Sequence, residues 1–410
     1  MDETEIQIGG VPFQKAIDFF RGKLNIPTRV WDDLRGEVHA KAFTIAGATK
    51  TDLLADLRGA VDAAIANGES IGAFRKRFDE VLQQHGWTYK GKRGWRTRVI
   101  YDTNLRTAHM AGRWQQIQRT KDRRPYLQYQ TVGDGRVRPL HRQWDETVLR
   151  VDDEWWNTHY PPNGWGCRCT VRTLSQRQLE WEGLSVGQAP PVNLSERVNT
   201  RTGEVYGEVP EGIDTGWDYN VGNAWLGPEF SFGEQLAALP KPLRDSALAA
   251  LPGSVGPHLQ AHFRNWAREV LAAPNPRNLE VTVGYLDDVV FNNLEARGMT
   301  PETVAITIQD ARLRRMQQEL KQRLGKVLSD IDLMNMAQSL ADPTAVLFDK
   351  RNPALVYVFD ADLEDRLGKF VVRVNFRQKN QVSNSIWSGD VTPLRNLRDR
   401  NHFDLIKGEL

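Results

Sequence analysis

Both cysteines of this 410-residue chain stand one residue apart, as Cys167 and Cys169 in the turn "PPNGWGCRC". Side chains at i and i+2 on extended backbone point the same way and miss disulfide geometry, so no cross-link holds the fold. Apolar burial has to do so. A chain of this length exceeds one ordinary core, which predicts two or three folding units. With 40% hydrophobic and 26% charged residues the composition is that of a soluble globular protein. No apolar run approaches the roughly 18 residues that cross a bilayer, so no membrane partner is expected. The acidic start "MDETEIQIGG" lacks the basic and apolar regions of a secretory signal, and residence in a reducing cytoplasm is the expectation.

Helical periodicity dominates the N-terminal third. In "TDLLADLRGAVDAAIANGES", Leu54, Leu57, Val61 and Ala64 recur at helical spacing behind Thr51 as N-cap, and Gly68 ends the pattern. "SIGAFRKRFDEVLQQHG" repeats this with Ile71, Phe74, Phe78 and Val81 on one face and Gly86 as the stop. A third helix is predicted from Gly94 to Arg119, with Trp95, Val99, Met110, Trp114 and Ile117 inward. Short β-like pieces follow, "YLQYQTV" and "CTVRTL", separated by tight turns. From 183 to 233, nine glycines and four prolines interrupt any period, which reads as an extended arm.

"PNPRN" at 274–278 reads as a linker into a separate unit. There, "TPETVAITIQDARLRRM" predicts a helix capped at Thr300 with Pro301 behind it, and helical pattern continues through Ala337. Three strand-like runs come next: "TAVLFD", "ALVYVFD" and "KFVVRVNF". The last alternates Phe370, Val372, Val374 and Phe376 against Lys369, Arg373 and Asn375. The expected class is α+β. A mainly helical part with a small α+β unit at 125–175 spans 1–180, an extended arm and linker span 181–273, and a C-terminal α+β domain with an antiparallel meander spans 277–410.

Charge is nearly balanced at +2, but residues 90–124 hold eleven Lys/Arg against two Asp. Such an excess suits nucleic acid or an acidic protein surface, with Arg96, Arg98, Arg106 and Arg113 as candidate contacts. A solvated helix face is the other reading.

Polar residues concentrate between 134 and 169: Asp134, Arg136, Arg138, His141, Asp145, Asp152, Asp153, His159, Cys167, Arg168 and Cys169. Three chemistries fit. Cys167, Cys169, His141 and His159 are a candidate zinc ligand set, although C-x-C is tighter than the usual knuckle. A cysteine nucleophile beside His141 and basic neighbours is a second reading. In the third, the cysteines are small buried hydrophobes and Asp134, Arg136, His141 and Arg168 form a hydrogen-bonded corner around them. The metal-free corner is the expectation carried forward, with zinc the one cofactor considered.

The series D-x-R-x-R-x-x-H (Asp134, Arg136, Arg138, His141), then W-D, D-D-x-W-W and P-P-N-G-W-G-C-R-C, resembles the signature of the phage Mu protein F family. These are minor head or head-morphogenesis proteins of tailed bacteriophages. The resemblance takes in "GWRTRVIYDTNLRTAHMAGRW" and ends near residue 225 in "DTGWDYNVGNAW". It implies a virion component inside the procapsid near the portal vertex, made in the host cytoplasm. The implied partners are portal protein, major capsid or scaffold proteins and packaged phage DNA. It implies no characterised enzyme.

Residues 277–410 lie outside that core resemblance. Their helices-then-meander order resembles, at the level of pattern, the small nuclease fold of barnase and its toxin relatives. In that reading Lys369, Arg373 and His402 supply acid and cations, with Asn375 and Ser385 as polar helpers. An inert binding or capsid-docking domain is the default, and an ejected RNase-like effector the alternative.

Overall fold

The computed structural model describes residues 13–200, 202–226, 230–317, 327–362, 366–378 and 381–410. The "MDETEIQIGG" start and the middle of the helix expected through Ala337 lie outside the described residues. The chain divides into two compact units, 1–227 and 228–410. Both mix helices and strands, so the fold is α+β. Among the described residues no helix is long and apolar enough to cross a membrane.

In the first unit α1 (Gln14–Arg21) buries Ala16, Ile17, Phe19 and Phe20. Two very short strands, β1 (Leu24–Asn25) and β2 (Ala42–Phe43), pair in parallel after it. Three helices supply the scaffold: α2 (Thr51–Asn67), α3 (Ile71–His85) and α4 (Arg93–Thr120). Their apolar stripes place Leu54, Leu57, Val61, Phe74 and Phe78 in one core, and Gly68 and Gly86 end α2 and α3. Two details differ from expectation. The cap position of α2 is Lys50 rather than Thr51, and Trp95 faces solvent at 61% exposure instead of inward.

Beyond α4 a three-stranded antiparallel sheet forms, with β3 (Tyr126–Gln130) between β4 (Val148–Arg150) and β5 (Thr170–Leu174). The short helices α5 (Pro139–Trp144) and α6 (Trp156–His159) fill the β3–β4 and β4–β5 connections, and α7 (Gln176–Glu182) begins on a Ser175–Gln178 capping box.

The expected arm is not one element. Its first half makes a hairpin, β6 (Leu194–Val198) with β7 (Val205–Pro210), and then returns to the first unit through α8 (Val221–Leu226). Val209, Ile213, Trp217, Val221 and Trp225 all join the core of that unit. The return is pinned by Trp114 Nε1 donating to Asn223 at 2.8 Å and Lys41 donating to the Trp225 carbonyl at 2.6 Å. Its second half belongs to the other unit as α9 (Phe230–Ala237) and α10 (Lys241–Ala272).

The second unit is built on a seven-stranded mixed sheet rather than a meander alone. Its members are β8 (Glu280–Tyr285), β9 (Ala305–Gln309), β10 (Ala345–Asp349), β11 (Ala354–Asp360), β12 (Leu367–Gln378), β13 (Gln381–Thr392) and β14 (Phe403–Gly408), in the order β14-β10-β11-β12-β13-β9-β8. β13 and β9 pair in parallel and the other neighbours antiparallel. The segment expected to open a helix at Thr300 instead forms β9, fully buried along most of its length, and helix begins only at α12 (Asp310–Met316). Between β8 and β9, α11 (Asp288–Ala296) is capped by the Asp287 side chain. The alternation of β12 holds for Phe370 and Val372, then breaks where the register shifts between Arg373 and Phe376 and Asn375 takes a φ of 53°.

Candidate functional site

Three segments far apart in sequence meet beside β3. Helix α5 contributes His141, the turn before β5 contributes Cys167 and Cys169, and the return segment after β7 contributes Gly212 and Asp214. The first two carry the motifs singled out in the sequence. The third falls in the expected arm.

His141 is 2% exposed and lies against Trp144, rings 4.9 Å apart and 20° from parallel. Its Nε2–H donates to the Gly212 carbonyl at 2.8 Å, which leaves the Nδ1 lone pair for the sulfurs. Cys169 Sγ is 3.5 Å and Cys167 Sγ 3.8 Å from that nitrogen. Gly212 sits at a φ of 87°, and a Cβ there would press on Trp144 and Leu140, so only glycine presents its carbonyl to the imidazole in this way.

The sulfurs have further partners. The Asn163 backbone hydrogen-bonds Cys167, and the Tyr129 hydroxyl reaches Cys169 while donating to Asn163 Oδ1 at 3.0 Å. The bond from Cys169, together with His141, holds the Cys167 thiol well below its usual range, whereas Cys167 and burial push Cys169 up. Arg106, Arg138 and Arg168 are near enough to interact with charge on both sulfurs.

Around this centre run two bidentate ion pairs. Arg168 grips Asp134 at 2.7 and 2.6 Å, and Arg138 grips Asp214 at 2.8 Å through each prong. Arg168 and the backbone of Arg136 hold the Asp134 carboxyl far below the usual range. Asp214 also accepts from the Trp165 backbone N–H at 2.8 Å. Gly164 lies so close to this pair that a Cβ would strike the Asp214 carboxylate and the Arg138 guanidinium.

The remaining motif residues are elsewhere. Arg136 is mostly exposed, and Asp145 caps the end of β3 by accepting from Thr131 N–H and Oγ1. His159, expected as a fourth metal ligand, is not in the cluster. Its ring stacks on Trp155 at 4.3 Å, its Nδ1 pairs with Thr158 Oγ1, and burial pushes it down to about 4. Among the described residues, the metal-capable group is His141, Cys167 and Cys169, with ligand atoms all within 4.8 Å of one another.

The basic run is divided rather than continuous. Arg96 lies over Trp87 and Tyr89 and donates to the Ala46 carbonyl, Arg93 pairs with Asp79, and Arg124 binds Thr173. Arg106 and Arg113 are half-buried, and of the four candidate contacts Arg98 alone is exposed. Elsewhere in this unit, Lys23, Trp31, Trp95, Trp165 and Trp217 line a mostly apolar cavity of about 490 Å³. Buried Lys23 donates to the His39 carbonyl at 2.6 Å, and desolvation pushes its ammonium down to about 7.

In the second unit the nuclease candidates do not converge. Lys369 and His402 line one cavity, but Lys369 pairs with Asp390 at 3.5 Å and His402 with Asp349 at 3.0 Å. Arg373 instead lies over Trp387, whose ring also takes Arg312. Asn375 is held at the irregularity of β12 by the Thr300 carbonyl and the Glu302 N–H, and the Ser385 hydroxyl is buried in the sheet.

The family described as phage Mu protein F like protein matches residues 55–172 of this chain. The capsid assembly protein F of Escherichia phage Mu is 31% identical over 403 residues, covering 89% of this chain and 87% of its own length. The Mu-like prophage FluMu F protein of Haemophilus influenzae is 26% identical over 415 residues, covering 93% of this chain and 99% of itself. Such coverage takes in most of residues 277–410, so that part is shared with these relatives and is not an extension outside the resemblance. No solved structure matches.

Proposed function

Because the chain belongs to the phage Mu protein F-like family, we propose that it is a minor head protein acting inside the procapsid at the portal vertex, against portal protein and neighbouring capsid or scaffold proteins. Its role is in phage head morphogenesis. The observation that carries this reading is similarity to a capsid assembly protein over nearly the whole length of both chains. That same span supports reading the second unit as a working part of the assembly protein, not as an ejected RNase-like effector.

The surface of the first unit suits such a partner. Trp31, Trp95 and Trp165 are 38%, 61% and 40% exposed on the rim of the apolar cavity, and aromatic rings left in water are what protein interfaces consume. Packaged DNA is the further proposed contact, through the exposed members of the basic run.

The test is to isolate procapsids before packaging and to count this chain by mass spectrometry against portal protein. Recovery in few copies per head, retained with portal after the shell is dissociated, is the expected outcome. Recovery only as free protein in the lysate would overturn the reading.

A further inference from the structure

We propose that His141 Nδ1 and the sulfurs of Cys167 and Cys169 bind a zinc ion, a three-ligand site whose fourth position is taken by water. The inference concerns the centre itself and stands apart from the role in assembly.

The spacing is that of a coordination polyhedron. With bonds of about 2.3 Å to sulfur and about 2.0 Å to nitrogen, a tetrahedral zinc sets its ligand atoms roughly 3.5–3.8 Å apart. The two sulfur–nitrogen separations here are 3.5 and 3.8 Å, and all three ligand atoms lie within 4.8 Å of one another, close to the spacing that a bound metal needs.

The lone pairs point the same way. Nδ1 carries one lone pair, and both sulfurs face it. Zinc would use that lone pair and both sulfurs at once, in place of the sulfur-to-sulfur hydrogen bond between Cys169 and Cys167. The ring is also prepared as a ligand, because its other nitrogen donates to the Gly212 carbonyl and its face is fixed by Trp144. An imidazole held by a carbonyl on the far nitrogen is the usual support for a zinc-binding histidine. The Cys167 sulfur is supported likewise, by the Asn163 backbone. Two thiolates and an imidazole select zinc over magnesium or calcium.

This departs from the metal-free corner expected from the sequence, and also from the four-ligand set, because His159 is turned away into its stack with Trp155.

The experiment uses the full chain, expressed in zinc-supplemented medium without a metal-binding tag. Elemental analysis should give about one zinc per chain, and cobalt(II) added to the chelator-stripped protein should produce the sulfur-to-cobalt charge-transfer absorption of a thiolate site. Cys167→Ser with Cys169→Ser should abolish both signals, and His159→Ala should keep both. If the double variant does not fold, the wild-type cobalt spectrum decides, since that band requires thiolate coordination. Far less than stoichiometric zinc with no such band, or full zinc in a folded double serine variant, would overturn the proposal. Loss of zinc in folded His159→Ala would overturn the three-ligand assignment.

Discussion

Arg138 and Asp214, separated by 76 positions, face each other prong to prong with both nitrogen–oxygen distances at 2.8 Å. The pair joins the start of α5 to the segment that follows β7, and Arg138 also reaches the Trp165 carbonyl. It is half-exposed, so its value lies in geometry more than in bare Coulomb attraction. Asp214→Asn keeps the shape but removes the charge-assisted bonds, and should lower the stability of the first unit by about 2 kcal/mol. A shift of the urea midpoint followed by tryptophan fluorescence measures it. No shift would mean that the apolar anchors alone hold the return segment.

Gly212→Ala should be worse than its size suggests. The new methyl meets Trp144 and Leu140 on backbone at a φ of 87°, and strain of this kind costs about 1–3 kcal/mol. Because the Gly212 carbonyl orients His141, the same variant should weaken metal uptake at the centre. Differential scanning calorimetry alongside zinc analysis separates the two effects.

Lys23 links stability to alkaline pH. Burial lowers its folded value to about 7, below the roughly 10.4 of an unfolded lysine. Between those values the unfolded chain holds more protons, so this group makes stability rise with pH across that window. Lys23→Met should flatten that rise and leave the protein at least as stable at neutral pH. The measurement is the difference between wild-type and variant unfolding free energies at pH 7 and pH 10, and a parallel offset at both would show that Lys23 is protonated in the folded state.

The arginines of the basic run should sort by burial. Replacing the exposed Arg98, Arg119 and Arg123 by Ala should weaken binding of the full chain to duplex DNA. It should also flatten the log–log salt dependence by about 0.9 for each phosphate no longer neutralised. Arg96→Ala should act on stability instead, because that side chain is spent on Trp87, Tyr89 and the Ala46 carbonyl. Fluorescence anisotropy at several salt concentrations checks the first, and thermal melts the second.

The helices α2, α3 and α4 were legible because an amphipathic helix writes its own period into the chain and glycine marks its end. β9 was not, since a strand buried on both faces is a short apolar run without alternation, and Thr300 with Pro301 imitated a helix start. β13 was hidden for the opposite reason. Ser383, Asn384 and Ser385 are buried there between two neighbouring strands, the first two hydrogen-bonded across to Thr307 and to the Thr303 and Ala305 carbonyls, so no hydrophobic pattern betrays it. At the centre, the sequence marked His141, Cys167, Cys169, Asp134 and Arg168 but not Asp214 or Gly212. A signal did exist: Val209, Ile213, Trp217, Val221 and Trp225 fall at every fourth position. Glycines between them masked it, because Val209 lies in a strand, Ile213 and Trp217 in the irregular segment after it, and only the last two on a helix.

Those five anchors also set a schedule. A ribosome making this chain finishes α4, the three-stranded sheet and the cysteine turn well before it reaches Trp217 and Trp225, which complete their core. Until then His141 lacks its carbonyl, Arg138 lacks its carboxylate, and apolar surface stays uncovered. A product that terminates near residue 180 therefore holds nearly every motif and no finished domain, and so cannot pass for a complete subunit.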